Sequence, residues 1–265
     1  MPMTESRFLG RGVMALVIAV QLLPVAAVTL NAVSDEWSDS LLPTSYGSRW
    51  IAQAFQDPRL LAAIWHSLTI SFATLAASAL LTVPAVLAGH FYFPVLDRLL
   101  STLVIVPYAV PGIVLALGLL HLYSGNYGIV LNGTPWVLIL AYVPLGASFY
   151  YLPIKNNLRA IPAIEIFEAG RLVGASDFEI LRAILLPTLG PALIVGFVMN
   201  FTLAISEFVY ANLLVGGRFP TLQIFLYVLR EGSGHVSSIV ILVYFAVVWT
   251  ATSLMVAALS RWRSA

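Results

Sequence analysis

Apolar residues in this chain come in long unbroken runs rather than in alternation. Six runs stand out, at 12–33, 62–89, 99–122, 136–154, 192–215 and 239–259. A helix needs roughly 20 mostly apolar residues to cross the hydrocarbon core of a bilayer. A membrane-spanning barrel would instead alternate apolar and polar positions over segments of about ten residues. The pattern predicts an all-α, polytopic membrane helix bundle with about six transmembrane helices, forming a single domain over 1–265. The fourth run is the least regular, because Pro144 and Pro153 interrupt it. Arg7 and Arg11 precede the first run as in a signal peptide, but the run exceeds a signal core and ends in no A-x-A site, so it is expected to stay as a span.

Composition narrows the class. Hydrophobic residues make up 60% of the 265 positions and charged residues 9%. Soluble domains carry about a quarter charged residues, and so few ions could not cover a soluble surface. The absence of cysteine removes disulfides, thiolate metal sites and cysteine nucleophiles. A net charge of +1 gives no bulk attraction for nucleic acid.

The placement of the charges says more than their sum. Lysine and arginine favour the cytoplasmic side. With the N-terminus inside, nine of the thirteen basic residues fall on inner segments (Arg7, Arg11, Arg98, Lys155, Arg159, Arg171, Arg182, Arg261, Arg263). Four fall outside: Arg49, Arg59, Arg218 and Arg230. Both termini are therefore expected in the cytoplasm. The outer 34–61 loop carries Asp35, Glu36, Asp39 and Asp57, and 155–191 is the longest inner segment.

Pro24, Pro84, Pro107, Pro111 and Pro144 fall inside the runs. Each removes a backbone donor and tends to bend its helix, and lipid offers no substitute partner. A bent bundle is expected. Ser67 with Ser71, and Ala73 with Ala77, give the four-residue spacing of small residues that permits close helix contact.

The inner segment 161–187 reads IPAIEIFEAGRLVGASDFEILRAILLP. It predicts two short helices joined by a turn. Pro162 suits a first helical position. Gly174 suits a left-handed helix end. Ser176 with Glu179 makes a capping box for the second helix, and Pro187 closes it. The first helix is expected to expose Ile164, Phe167 and Val173 beside Glu165, Glu168 and Arg171. An amphipathic helix in such a place docks into a partner groove or lies on the membrane surface, and its composition does not choose between them.

The same segment resembles the EAA loop of permease subunits of binding-protein-dependent, type I ABC importers, whose pattern is E-A-A-x3-G-x9-I-x-L-P. Glu168 and Ala169 match, Gly170 replaces the second alanine, and Gly174, Ile184, Leu186 and Pro187 fall at the required spacings. Glycine keeps that position small and loosens the helix by about 1 kcal/mol. The likeness runs from Trp65-His66-Ser67-Leu68 through the sixth run, with His66 where many family members have asparagine. The resemblance implies a type I importer permease fold in a bacterial inner membrane. It implies a second permease subunit, favoured to be a different chain, a cytoplasmic ABC ATPase dimer, and an extracytoplasmic substrate-binding protein. Glu168, Ala169, Gly170, Gly174, Ile184, Leu186 and Pro187 are the implied ATPase-coupling residues, with Glu168 either pairing with the ATPase or capping its helix. No cofactor is expected in this chain, since no G-x-x-x-x-G-K-[ST] surrounds its only lysine, Lys155. The energy must come from a partner or from an ion gradient, and the resemblance implies ATP on the partner ATPase.

Glu207 is the only acid inside a run. A carboxylate there costs about 3 kcal/mol on insertion scales, which makes it a functional candidate. Asn200 lies seven residues earlier, nearly on the same helical face, with Ser206 and Asn212 nearby. One reading is a substrate path through Glu207, Asn200 and Ser206 that favours cations. The other is a protonated glutamate bonded within the bundle. Ser206-Glu207-Phe208-Val209 is similar to the family branch that moves polyamines, aminophosphonates, ferric iron or sulfate, and a polyamine or aminoalkylphosphonate is the expected solute.

An ion-gradient-driven secondary transporter is the alternative. It would use broken helices and a midplane acid too, but it predicts symmetry between chain halves, whereas the EAA-like loop occurs once. A membrane enzyme ranks lower. His66, His90, His121 and His235 are scattered without metal-ligand spacing, and no G-x-S-x-G occurs. No catalytic or metal residue is expected, and no charge ring or filter sequence suggests a channel.

Overall fold

Local backbone chemistry decides which apolar runs become single helices. The computed structural model describes residues 2–37, 40–230 and 232–264. Asp39 of the outer loop lies outside them, as do the side chains of Arg7, Arg261 and Arg263. In chain order the chain forms α1 (Pro2–Ala32), the hairpin β1 (Ser34–Glu36) and β2 (Ser45–Tyr46), α2 (Arg49–Gln56), α3 (Pro58–Phe91) and α4 (Pro94–Leu103). There follow α5 (Val106–Ala109), α6 (Gly112–Leu122), α7 (Pro135–Ala160), α8 (Ala163–Leu172) and α9 (Asp177–Ile180). A π-helical turn at Leu181–Leu185 leads into α10 (Leu186–Thr188), α11 (Gly190–Ser206), α12 (Val209–Leu214), α13 (Leu222–Leu229) and α14 (Gly234–Ser264).

Among the described residues four helical stretches are long and apolar enough to cross a bilayer alone: Arg11–Ala32, Pro58–Phe91, Pro135–Ala160 and Gly234–Ala258. Two bent pairs bring the number to six, Pro94–Ala109 with Gly112–Leu122 at 99° and Asp177–Thr188 with Gly190–Ser206 at 69°.

The third and fifth runs, expected as single spans over 99–122 and 192–215, are both broken, the third at the first of these bends and the fifth at Glu207, beyond the second bend. Val110 is extended, with φ −106° and ψ 135°, as a residue before proline prefers, and Pro111 caps the next helix, which begins at Gly112. In the fifth run Glu207 is extended, at φ −73° and ψ 123°, so α11 stops at Ser206 and α12 restarts at Val209. The fourth run shows the converse. α7 continues through Pro144 and Pro153 for 26 residues, with Pro135 in its first turn where a missing N–H costs nothing. Pro24 and Pro84 likewise sit inside α1 and α3.

The expected single domain divides into two compact units, one of residues 1–61 with 225–246 and one of 62–224 with 247–265. In the first, polar contacts tie the end of α1 to the start of α14. Asn31 Nδ2 donates to Ser238 Oγ at 2.9 Å, and His235 Nδ1 lies 2.8 Å from the Asn31 carbonyl. His235 also stacks on Trp50 of α2, with centroids 5.2 Å apart.

In the second unit, α3 turns Ser67, Ser71, Thr74, Ser78 and Thr82 inward, all buried. Their three- and four-residue spacing makes one helical face of small side chains. The Ala73 and Ala77 pair is only half-buried and flanks that face. α7 packs on it: the Tyr150 hydroxyl donates to the Leu75 carbonyl at 3.2 Å. α7 also makes the broadest helix contact of the unit, with α11.

Candidate functional site

The 161–187 loop is built by local backbone chemistry and then fixed by a few long-range contacts. Pro162 caps α8 rather than opening it, and the helix begins at Ala163. At the far end Gly174 has φ +86°. Its N–H donates to the Arg171 carbonyl and the Ala175 N–H to the Gly170 carbonyl, at 3.0 and 3.1 Å. These are the paired bonds of a Schellman turn, which needs a residue without a Cβ at Gly174. Ser176 and Glu179 then form the expected capping box: the Glu179 N–H donates to Ser176 Oγ, and the Ser176 N–H to Glu179 Oε2. Ahead of Pro187 the helix widens into the π turn, where the Leu186 N–H reaches the Leu181 carbonyl. A proline crowds the carbonyl four residues before it, and this wider turn falls where that crowding would arise.

Phe167, expected on the outward face of the first short helix, points inward. It is buried and stacks on Phe91 with centroids 4.6 Å apart, and its edge contact with Tyr92 is 5.8 Å. The Arg171 guanidinium covers it at 4.7 Å from the ring centroid. That guanidinium grips Asp177 through Nε and Nη2 at 2.8 and 2.7 Å, and the Tyr92 hydroxyl donates to the same carboxylate. Hydrogen bonding to Asp177 raises the Arg171 guanidinium further above its usual range. Loss of water, then the Asp177 carboxylate, push the Tyr92 hydroxyl up. α8 and α9 are thus latched to the turn between α3 and α4.

The face left outward carries Glu168 and Ala169 together with Leu172, Val173 and Phe178, all exposed. Glu168 makes no ion pair among the described residues and does not cap α8. Gly170 is buried against the second short helix, where an added Cβ would stand 2.7 Å from Ile180 Cδ1. The departure from the alanine pattern thus has a steric basis. Gly174 is exposed, Ile184 is exposed, and Leu186 and Pro187 are half-buried.

The residues expected along a substrate path meet α7 in different ways. Asn200 is fully buried, its amide against Gly146, and among the described residues neither amide atom makes a well-formed hydrogen bond, the Tyr150 hydroxyl standing near as a weak partner. One turn earlier Gly196 leaves room for Tyr150. Glu207 is half-buried at the break between α11 and α12. Its carboxylate accepts the N–H groups of Val209 and Tyr210 at 3.0 and 2.9 Å and the Tyr142 hydroxyl at 3.2 Å. Tyr142, Gly146 and Tyr150 are spaced four apart on α7, so Asn200 and Glu207 do share one interface. Ser206 does not join it. It is exposed, with its hydroxyl bonded to the Thr202 carbonyl of its own helix. Asn212 lines a separate crevice of about 260 Å³ with Asn132 and Arg218.

Sequence reasoning missed Tyr142 and Gly146 as partners of that polar seam, and Phe91 and Tyr92 as partners of the loop. It also missed the ion pair of buried Lys155 with Asp97, at 2.9 Å, which ties α4 to α7. The chain's only lysine, standing right at the end of the fourth apolar run, is the available signal.

The model of the binding-protein-dependent transport system inner membrane component family matches residues 81–264. The spermidine/putrescine transport system permease protein PotC of Escherichia coli (strain K12) is 28% identical over 231 residues, covering 83% of this chain and 82% of PotC. The putative 2-aminoethylphosphonate transport system permease protein PhnV of Salmonella typhimurium is 26% identical over 209 residues, covering 79% of this chain and 77% of PhnV. Among solved structures, a bacterial ABC transporter involved in alginate import aligns over 96% of this chain and 97% of its own, with TM-score 0.73 at 15% identity. The same fold appears in the alginate transporter bound to its periplasmic protein, at TM-score 0.72 and 16% identity. These matches leave no support for a gradient-driven carrier. The chain belongs to the binding-protein-dependent transport system inner membrane components, the permease subunits of ABC importers.

Proposed function

We propose that the chain forms half of the translocation path of an importer for a small amine-bearing solute, a polyamine or an aminoalkylphosphonate. The observation that carries this is the likeness to two permeases named for amine solutes over most of both chains. The other half of the path is a second, different permease chain. An extracytoplasmic binding protein delivers the solute, and ATP is held by a separate cytoplasmic ATPase dimer.

The 161–187 loop is the ATPase-facing surface. Glu168, Ala169 and Gly174 lie at its exposed side, Leu172 and Phe178 supply apolar contact, and Gly170, Ile184, Leu186 and Pro187 shape the turn behind them. The excess of lysine and arginine on this side of the chain supports a cytoplasmic loop and cytoplasmic termini. On the α11–α12 break, Glu207 supplies the negative charge for an amine, with Ser206 exposed beside it and Asn200 behind it.

The test is ATP-driven uptake into vesicles holding the complete transporter. Labelled spermidine, putrescine and 2-aminoethylphosphonate are supplied with the cognate binding protein. Uptake of one of them, abolished without ATP, supports the reading. Uptake of none, with ATP hydrolysis intact, overturns the substrate class.

A further inference from the structure

A trough of about 490 Å³ opens between α4, α5 and α7, with Val104, Ile105, Phe149 and Leu152 among its walls. Its hydroxyls are already bonded: Ser101 donates to the Arg98 carbonyl, Ser148 to that of Val104 and Tyr108 to that of Leu145, while Tyr151 donates to the Asp97 carboxylate at 3.4 Å. Lys155 reaches the trough with its charge taken by Asp97. Arg159 and Asn156 stand exposed at one end, and Arg159 is the charged group there without a salt bridge among the described residues. The other end is apolar except for the bonded Ser148.

Size and polarity together identify an occupant. Ser148 and Arg159 are eleven residues apart on one helix, and at 1.5 Å per residue the trough runs about 16 Å. Half of a hydrocarbon core about 30 Å thick is about 15 Å. The trough therefore has the depth of one leaflet, with a free guanidinium at its mouth and carbon walls below. We propose that it binds an anionic phospholipid, with one acyl chain along the trough and the phosphate on Arg159. The guanidinium fork fits phosphate oxygens two at a time, and basic pockets between transmembrane helices hold anionic headgroups. A cationic solute would meet a like charge at the mouth. A polypeptide strand would carry backbone groups that the carbon walls cannot satisfy.

The experiment reconstitutes the complete transporter in phosphatidylcholine vesicles containing a minor share of phosphatidylglycerol with a photoactivatable acyl chain. Adducts are mapped by mass spectrometry. Labelling is expected at 104–108 and 148–152, displaced by unlabelled phosphatidylglycerol but not by phosphatidylcholine or inorganic phosphate. Arg159→Gln lowers it about tenfold, the loss of one charge-assisted contact, while Arg159→Lys keeps most of it. Leu152→Trp fills the trough and removes the deep adducts with Arg159 intact. Co-purification of the ATPase shows that each variant is folded. Equal labelling by a photoactivatable phosphatidylcholine overturns the proposal, as do unchanged labelling in Arg159→Gln and displacement by inorganic phosphate. So does efficient photo-crosslinking of the partner permease by a benzophenone maleimide attached to Leu152→Cys, since that is the only thiol this chain would carry and such capture would mean that a protein helix fills the trough.

Discussion

Gly170 and Ile180 compete for one space: a Cβ on residue 170 would lie 2.7 Å from both Cδ1 and Cγ1 of Ile180. Ile180 is itself fully buried, so its side chain has little freedom to yield. Restoring the family alanine by Gly170→Ala gains about 1 kcal/mol of helix propensity. Overpacking costs about 1–3 kcal/mol, so a net loss of up to about 2 kcal/mol is expected. Ile180→Ala removes both colliding carbons, and in that background Gly170→Ala should turn neutral or stabilising. A double-mutant cycle on the thermal unfolding of the purified complex measures this. Additive effects would mean that the two residues do not compete.

The latch predicts a separation of hydrolysis from transport. Tyr92→Phe removes a hydroxyl bonded to Asp177, and Arg171→Gln removes both bonds of the guanidinium. Both lie in an exposed network, where single ion pairs contribute about 0–1 kcal/mol to stability. The folded complex should therefore assemble normally. Uptake per ATP hydrolysed should fall several-fold, more for Arg171→Gln, because α8 would then move without drawing the end of α3 with it. The measurement is solute transported per phosphate released, and an unchanged ratio in both variants would remove the latch from the coupling path.

What was legible in the sequence follows from how local the cause was. The apolar runs declare themselves, because lipid requires an uninterrupted stretch. The turn at Gly174 and the capping box of Ser176 and Glu179 were readable for the same reason, since each is decided within a few residues. Prolines were not. Pro111 caps a new helix after an extended Val110, whereas α7 runs straight through Pro144. The same residue gives opposite outcomes because the neighbouring helices decide whether its freed carbonyl is tolerated. The break at Glu207 has no proline at all. Its carboxylate takes the N–H groups of the next helix, which a hydropathy pattern cannot show. Phe167 looked like an outward apolar residue because its partner, Phe91, is distant in sequence.

Glu207 bonds the first turn of α12, and on the proposed function it has a second, separable role as the charge offered to an amine. Glu207→Gln keeps the shape but removes the charge and one good acceptor. Tyr142→Phe removes one bond to Glu207 and leaves the charge. If the charge meets the solute, Glu207→Gln should raise the KM for a polyamine about tenfold or more, as expected for a charge-assisted contact, while Tyr142→Phe changes it little. Equal, small effects in the two variants would assign Glu207 to holding the break alone. In either case the ATPase should co-purify as in the parent, because the 161–187 loop is untouched.

Asn200 poses the sharpest energetic question in the bundle. Among the described residues neither buried amide atom makes a well-formed hydrogen bond, with the Tyr150 hydroxyl only a weak partner, and a buried unpaired polar group costs about 1–3 kcal/mol. Its side chain also fills the space where Gly146 lacks a Cβ, which would stand 2.5 Å from Nδ2. Gly146→Ala should therefore destabilise the complex by about 1–3 kcal/mol. Asn200→Ala should relieve that clash, so the double variant is more stable than Gly146→Ala alone. Asn200→Ala by itself loses packing but also sheds two poorly bonded atoms, so a small net change in stability is expected. A large loss of uptake in that stable variant would then have a specific meaning: the amide is kept at that cost because it finds its partners in another conformation of the α7–α11 interface or in the solute. Unchanged uptake would leave Asn200 as a spacer against Gly146 and remove it from the translocation path.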